Sequence, residues 1–198
     1  PIGYFNTLLN MALGTALNML MTVIGAYALS RKGYMFRRTI NLLIVFTMYF
    51  SGGLIPNFLL VQQLGLYNTR WALMIPGAIT TWNLVVMKTC FQSLPASLEE
   101  AARIDGAREL TILFRIILPV STSTVAVIAL FYAVGHWNSW FNAMLYLQNR
   151  ALYPLQLFLR EALISNSPTG AIEDPDSETL YIEEVIRNAT IIVSTLPI

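Results

Sequence analysis

The sequence is short of charge. Only 12% of its 198 residues are Asp, Glu, Lys or Arg, while 56% are hydrophobic. Soluble domains carry about 25% charged residues, so a soluble globular fold is disfavoured. The mean hydropathy of +0.58 points the same way, to a membrane protein. Cys90 is the one cysteine, which excludes an internal disulfide and a cysteine-rich metal site. His136 is the one histidine, with no second His, no Cys and no acid in the same half of its apolar run, so it has no partners for a metal or for catalysis. A net charge of +1 argues against a nucleic-acid partner. No Gly-x-x-x-x-Gly-Lys-Ser/Thr phosphate loop, no His-Glu-x-x-His motif and no catalytic triad is present. A proton-coupled transporter calls for an acid inside the membrane, and the apolar runs hold none. The expectation is a chain with no catalytic residue, no metal and no cofactor of its own. It opens on Pro1 and stops at Ile198 within an apolar run, which reads as one transmembrane domain, 1–198, truncated at both ends.

Long apolar runs are what it does have. Residues 5–29, 40–64, 71–94 and 119–147 each reach the length of about 20 residues that crosses a bilayer as a helix. A fifth begins near residue 188. The fold class predicted is all-α, a polytopic transmembrane helical bundle with about four full spans and part of a fifth. In the first run Asn18, Thr22 and Gly25 recur at helical spacing and are predicted to face another helix, since small and hydroxyl residues let membrane helices approach. Ser51-Gly52-Gly53 and Pro56 interrupt the second, giving either a broken helix lining a cavity or a kink near its end. Pro76-Gly77 predicts a kink in the third. The fourth exceeds what a bilayer needs and is predicted to tilt or protrude. Residues 153–163 read as a short amphipathic helix, and 165–178 as a polar loop in an acidic segment.

The basic residues give an orientation. Arg31, Lys32, Arg37 and Arg38 follow the first run at once, and with Lys88, Arg103, Arg108 and Arg115 they make eight of the 12 basic residues. The positive-inside rule puts the 31–38 loop and the 95–119 loop in the cytoplasm. The second of these is a charged island between two apolar runs. Ser97-Leu98-Glu99-Glu100 is a capping-box pattern that predicts a helix over 98–105. Gly106 stands where a helix ends in a left-handed residue. A second helix is predicted over 108–117. Ala101 and Ala102 leave a small-residue face open to close approach by another protein.

Glu100, Ala101, Ala102, Gly106, Ile116, Leu118 and Pro119, at this spacing, resemble the EAA loop of ABC-importer permeases. The likeness extends to Asn6-Thr7 at the start of the first run, to 26–31 at its end, and to Tyr153-Pro154-Leu155-Gln156. Within that family the chain is most similar to the second permease subunit of maltose-type carbohydrate importers, in the branch that handles complex oligosaccharides. The resemblance implies a type I permease of six helices, of which this chain covers helices two to five and the start of six. It implies that 95–119 is the coupling loop that docks on a cytoplasmic ATPase, with Glu100 pairing an arginine there. Implied partners are a homologous second permease, two ATPase subunits carrying ATP and Mg, an extracytoplasmic solute-binding protein and the lipid bilayer of the bacterial inner membrane. Glu100 also has a local reading, as the capping partner of Ser97.

The outer part of the fourth run gathers His136, Trp137, Asn138, Trp140, Phe141 and Asn142. Sugar sites use aromatic faces and amides, so these residues, with Asn83 beside Trp82 in the third run, are the candidates for the substrate path. The competing reading is the aromatic belt at the membrane interface. Asn138 and Asn142 share a face at helical spacing and are predicted to point inward. Other functions stay open: import of an amino acid or peptide by the same kind of machine, a secondary transporter, or a membrane enzyme built on His136.

Overall fold

A computed structural model describes residues 2–31 and 36–165, with residues 185, 188, 189 and 192. The acidic loop 165–178, beyond Ser165, and the start of the fifth run lie outside the described residues, as do 32–35 of the first basic loop. Helix α1, Ile2–Ser30, is the long axis of the bundle. Its outward side is apolar, with Leu8, Leu13, Leu20 and Ile24 exposed, while its inward side carries Thr7, Asn10, Gly14, Asn18, Thr22 and Ala26, all buried. Those positions are three or four apart, so they form one stripe. The stripe packs on helix α4, Thr81–Ser93, and helix α7, Thr122–Trp137. In lipid, apolar side chains gain little from burial, and association comes from close packing and hydrogen bonds. A polar, small-residue stripe therefore belongs inside. Asn18 and Thr22 face a neighbour as predicted, and Gly25 sits half-buried against Leu84.

Helix α2, Arg37–Tyr49, and helix α3, Leu54–Gln63, are bent by 113° at the interruption. Gly53 has φ 84°, and Pro56 falls in the first turn of α3, where a missing N–H costs nothing. The interruption is thus a break of the helix. In the third run the structure departs from expectation. A short 3₁₀ turn at Arg70–Leu73 is followed by irregular chain, and helix α4 begins only at Thr81 and ends at Ser93. Pro76 biases the residue before it away from helical angles, and Gly77 gives no help in resuming the helix, so the expected kink is a replaced half-helix.

Helices α5, Ala96–Ile104, and α6, Glu109–Val120, form the charged loop. Helix α6 contains a π-helical turn at Leu113–Ile117 and meets helix α7, Thr122–Trp137, at an angle of 89°. The expected single span 119–147 is broken again at 138–139, and helix α8 runs over Trp140–Tyr146. The cause is local. Asn138 Nδ2 donates to Val134 O at 3.1 Å, and Ser139 Oγ donates to His136 O at 2.8 Å. Side chains of this kind compete with the helical ladder for their own backbone. After a 3₁₀ turn at Arg150–Leu152, helix α9, Leu155–Ser165, follows Pro154 and packs on α8 and the start of α1. It matches the amphipathic helix predicted over 153–163.

The fold is a helical bundle whose helices break inside the apolar runs read from hydropathy. Among the described residues only α1 is long and apolar enough to cross a membrane unbroken, and the total reaches three if α2–α3 and α6–α7 each count as one bent span. The main core joins Val23, Ala26 and Tyr27 of α1 to Met87 and Phe91 of α4, to Ile112, Leu113 and Ile117 of α6, and to Ile128 and Tyr132 of α7. It therefore lies between α1 and the charged loop.

Candidate functional site

The charged loop is built around its turn. Gly106 N donates to Arg103 O at 3.0 Å and Ala107 N donates to Ala102 O at 2.9 Å. With Gly106 at φ 76°, this is a Schellman ending, which needs a residue free to adopt the left-handed region. Ala107 also packs in the cluster that holds Ala102. The turn predicted at Gly106 is therefore formed. The capping box is not. Pro95 occupies the N-cap position and α5 has no side-chain cap, so Ser97 already lies inside the first turn. A proline fits there because its φ is preset and its missing N–H is not needed. Glu100 is thereby left exposed, with Ala101 beside it, while Ala102 is buried in the core.

The far end of the motif has its own geometry. Pro119 lies within the α6 helix, where its ring would press on the carbonyl four residues back. The π-helical turn just before it shifts the register, and Leu118 N donates five residues back, to Leu113 O. Ile116 and Leu118 are half-buried against the core, and Pro119 is exposed.

The loop is tied to the end of α1. The Tyr27 hydroxyl donates to Glu109 Oε2 at 2.7 Å, and Arg103 Nη2 pairs with Glu109 Oε1 at 2.8 Å. Arg31 pairs with Glu99 and lays its guanidinium 3.8 Å above the Tyr27 ring. The Tyr27 hydrogen bond above all holds the Glu109 carboxyl below the usual carboxylate range; burial opposes it, and Arg103 and Arg31 add to the lowering. Burial itself lowers Arg31 below the usual arginine range, opposed by Tyr27 and Glu109.

A second feature is an open groove of about 450 Å³ between α1, α4, α7 and α8. It brings together Asn18, Asn83, His136 and Asn142 with Trp82 and Tyr132. His136 is buried, and its Nε2 lies 3.1 Å from Asn18 Nδ2. Tyr132 exchanges a 2.7 Å hydrogen bond with Thr22 and accepts Thr80 N at 3.1 Å. Of the residues singled out on the fourth run, His136 and Asn142 line this groove with Asn83 of the third. Trp137 is buried away from it, Trp140 lies under Arg160 at 3.8 Å, and Asn138 is exposed and bonded to its own backbone. The break at 138–139 separates Asn138 from Asn142, so the shared face predicted for them does not exist. Asn18 and Tyr132 were not among the candidates. The signal for Asn18 was its place in the α1 stripe; nothing in the local sequence marked Tyr132. Among the described residues no group of three or more His, Cys, Asp or Glu is placed to hold a metal.

Residues 19–150 match the family described as binding-protein-dependent transport system inner membrane component. The chain is 44% identical over 187 residues to the polygalacturonan/rhamnogalacturonan transport system permease protein YtcP of Bacillus subtilis (strain 168), covering 94% of this chain and 65% of that one. It is 43% identical over 185 residues to protein LplC of the same organism, covering 93% and 63%. The chain thus spans a little under two thirds of the length of these relatives. A crystal structure of a bacterial ABC transporter involved in the import of the acidic polysaccharide alginate superposes with a TM-score of 0.88 at 33% identity, over 99% of this chain and 70% of that one.

Proposed function

Since the chain belongs to the family of binding-protein-dependent transport system inner membrane components, we propose that it is a membrane-spanning permease subunit of an ATP-driven importer for carbohydrates, oligosaccharides in particular. The observation that carries this reading is the loop of α5 and α6. Glu100 and Ala101 stand exposed on one side, Ala102 is buried on the other, and the Gly106 turn fixes the angle between the two helices. Such a loop presents a rigid knob to a partner and roots it in the core. In this reading 31–38 and 95–119 face the cytoplasm. ATP and Mg belong to two partner ATPase subunits, a homologous permease completes the pathway, and an extracytoplasmic binding protein delivers the cargo. ATPase closure pushes the knob, the bundle turns about it, and the pathway changes from inward to outward opening. This chain does no covalent chemistry.

The groove supports a sugar cargo. Trp82 offers an aromatic face, and Asn18, Asn83 and Asn142 offer amides, while among the described residues no lysine or arginine lines it. Such a lining reads hydroxyl groups and apolar sugar faces. The transport roles named for the relatives, polygalacturonan and rhamnogalacturonan among them, favour the same class over amino acids or peptides. The test uses the full complex with Cys90→Ser and a single cysteine from Ala101→Cys. A crosslink to a cysteine in the docking cleft of the ATPase that changes with nucleotide is expected. An assembled complex with no such crosslink would remove the loop as the transmission point.

A further inference from the structure

Glu109 is shared by three helices. One carboxylate oxygen accepts from Tyr27 of α1 at 2.7 Å and the other pairs with Arg103 of α5 at 2.8 Å, while Glu109 itself opens α6. Arg31, one residue past the end of α1, closes the circuit by pairing with Glu99 of α5 and stacking on the Tyr27 ring. The Arg103–Glu109 pair is exposed, and such pairs contribute little alone. Tyr27 is different. Its ring is buried in the core beside Ile112 and Leu113, so its hydroxyl has a fixed position and meets a charged acceptor there. Tyr27 also continues the inward side of α1, whose Thr22 and Asn18 reach Tyr132 and His136 at the groove. A displaced loop cannot leave α1 behind unless this bond breaks.

We propose that Tyr27 and Glu109 are positioning residues that hold the coupling loop in register with α1, so that movement of the loop is delivered to the groove. This rests on the importer reading above. The experiment reconstitutes the complete transporter, with binding protein, in proteoliposomes and measures oligosaccharide taken up per ATP hydrolysed. Tyr27→Phe is expected to lower that ratio about tenfold, the equilibrium equivalent of losing one hydrogen bond to a charged acceptor. Glu109→Ala is expected to lower it at least as far, and Glu109→Gln, which keeps an acceptor for the Tyr27 hydroxyl, less far. The double variant Tyr27→Phe with Glu109→Ala should be no worse than Glu109→Ala alone. A ratio equal to the parent in all three single variants overturns the proposal, including the case in which uptake and hydrolysis fall together, as a merely structural role would have it. Absence of sugar-stimulated ATP hydrolysis in the unaltered complex overturns the importer reading instead.

Discussion

Among the described glycines Gly14 has the least room for a side chain, and Gly14→Ala is the sharpest test of how α1 and α7 fit. A Cβ at Gly14 would stand 2.5 Å from both Cε1 and Nε2 of His136 and 2.9 Å from Cδ2. Ordinary carbon contacts begin near 3.5 Å, so the ring must retreat by about 1 Å. It is not free to do so, because Asn18 Nδ2 is bonded to Nε2 and the residue is buried. Overpacking of this kind costs about 1–3 kcal/mol. Losing the Asn18 bond adds about 0.6 kcal/mol, the average for a hydrogen bond between membrane helices. Alanine returns about 1 kcal/mol through its better helix propensity. The net loss expected is about 0.6–2.6 kcal/mol. Gly25→Ala is the built-in comparison, since among the described residues its Cβ meets only the terminal Cδ1 of Leu84, at 3.3 Å, which can rotate aside. Thermal unfolding of the detergent-solubilised complex should show Gly14→Ala melting below the parent and Gly25→Ala at or above it. In a His136→Ala background the Gly14→Ala penalty should vanish, because the ring it strikes is gone. Gly14→Ala melting with or above Gly25→Ala would refute the close approach of α1 to His136.

Three further outcomes follow from the loop. Gly106→Ala should cost about 1–2 kcal/mol in the same unfolding assay through left-handed backbone strain alone, because none of the described residues lies within 4 Å of the added Cβ; a steric repacking elsewhere in the loop would contradict this. Ser97→Ala should change stability by less than about 0.5 kcal/mol, against about 0.5–2 kcal/mol for loss of a working N-cap, since α5 has no side-chain cap. Glu109 has its folded-state pKa depressed, chiefly by the Tyr27 hydrogen bond, so its contribution is complete above the unfolded carboxylate value and is lost as pH falls through the lower folded one. The stability difference between parent and Glu109→Gln should therefore stay level at neutral pH and shrink below about pH 4; a difference that grows on acidification reverses the sign and rejects the assignment.

The sequence made the membrane class, the charged loop and the Gly106 turn readable, because each rests on composition or on a backbone need that one residue type meets. Breaks were harder. Hydropathy counts apolar residues and does not see that Asn138 and Ser139 spend their side chains on the carbonyls of Val134 and His136. Nor does it see how far Pro76-Gly77 disrupts α4. The Ser97 box failed because the helix starts two residues earlier, with Pro95 at the N-cap and no side-chain cap, a register that only the folded turn decides. Asn18 and Thr22 were readable as a helix face, yet their partners His136 and Tyr132 lie 118 and 110 residues away. The Tyr27–Glu109 bond spans 82 residues and leaves no mark in the local pattern.

The right angle between α6 and α7 has a mechanical consequence. Helix α6 is an arm of about 18 Å set at 89° to the α7 shaft. A push on the free end of such an arm is torque about the shaft, where a push along a straight helix would be only thrust. At the elbow Ser121 is buried, and its N–H is shared between Ile117 O at 3.0 Å and Leu118 O at 3.1 Å. From Thr122 to Val134 the shaft contains neither proline nor glycine. A twist applied at the elbow is therefore carried along the shaft as far as Gly135, the residue before His136, which packs against Gly14 and Asn18 of α1.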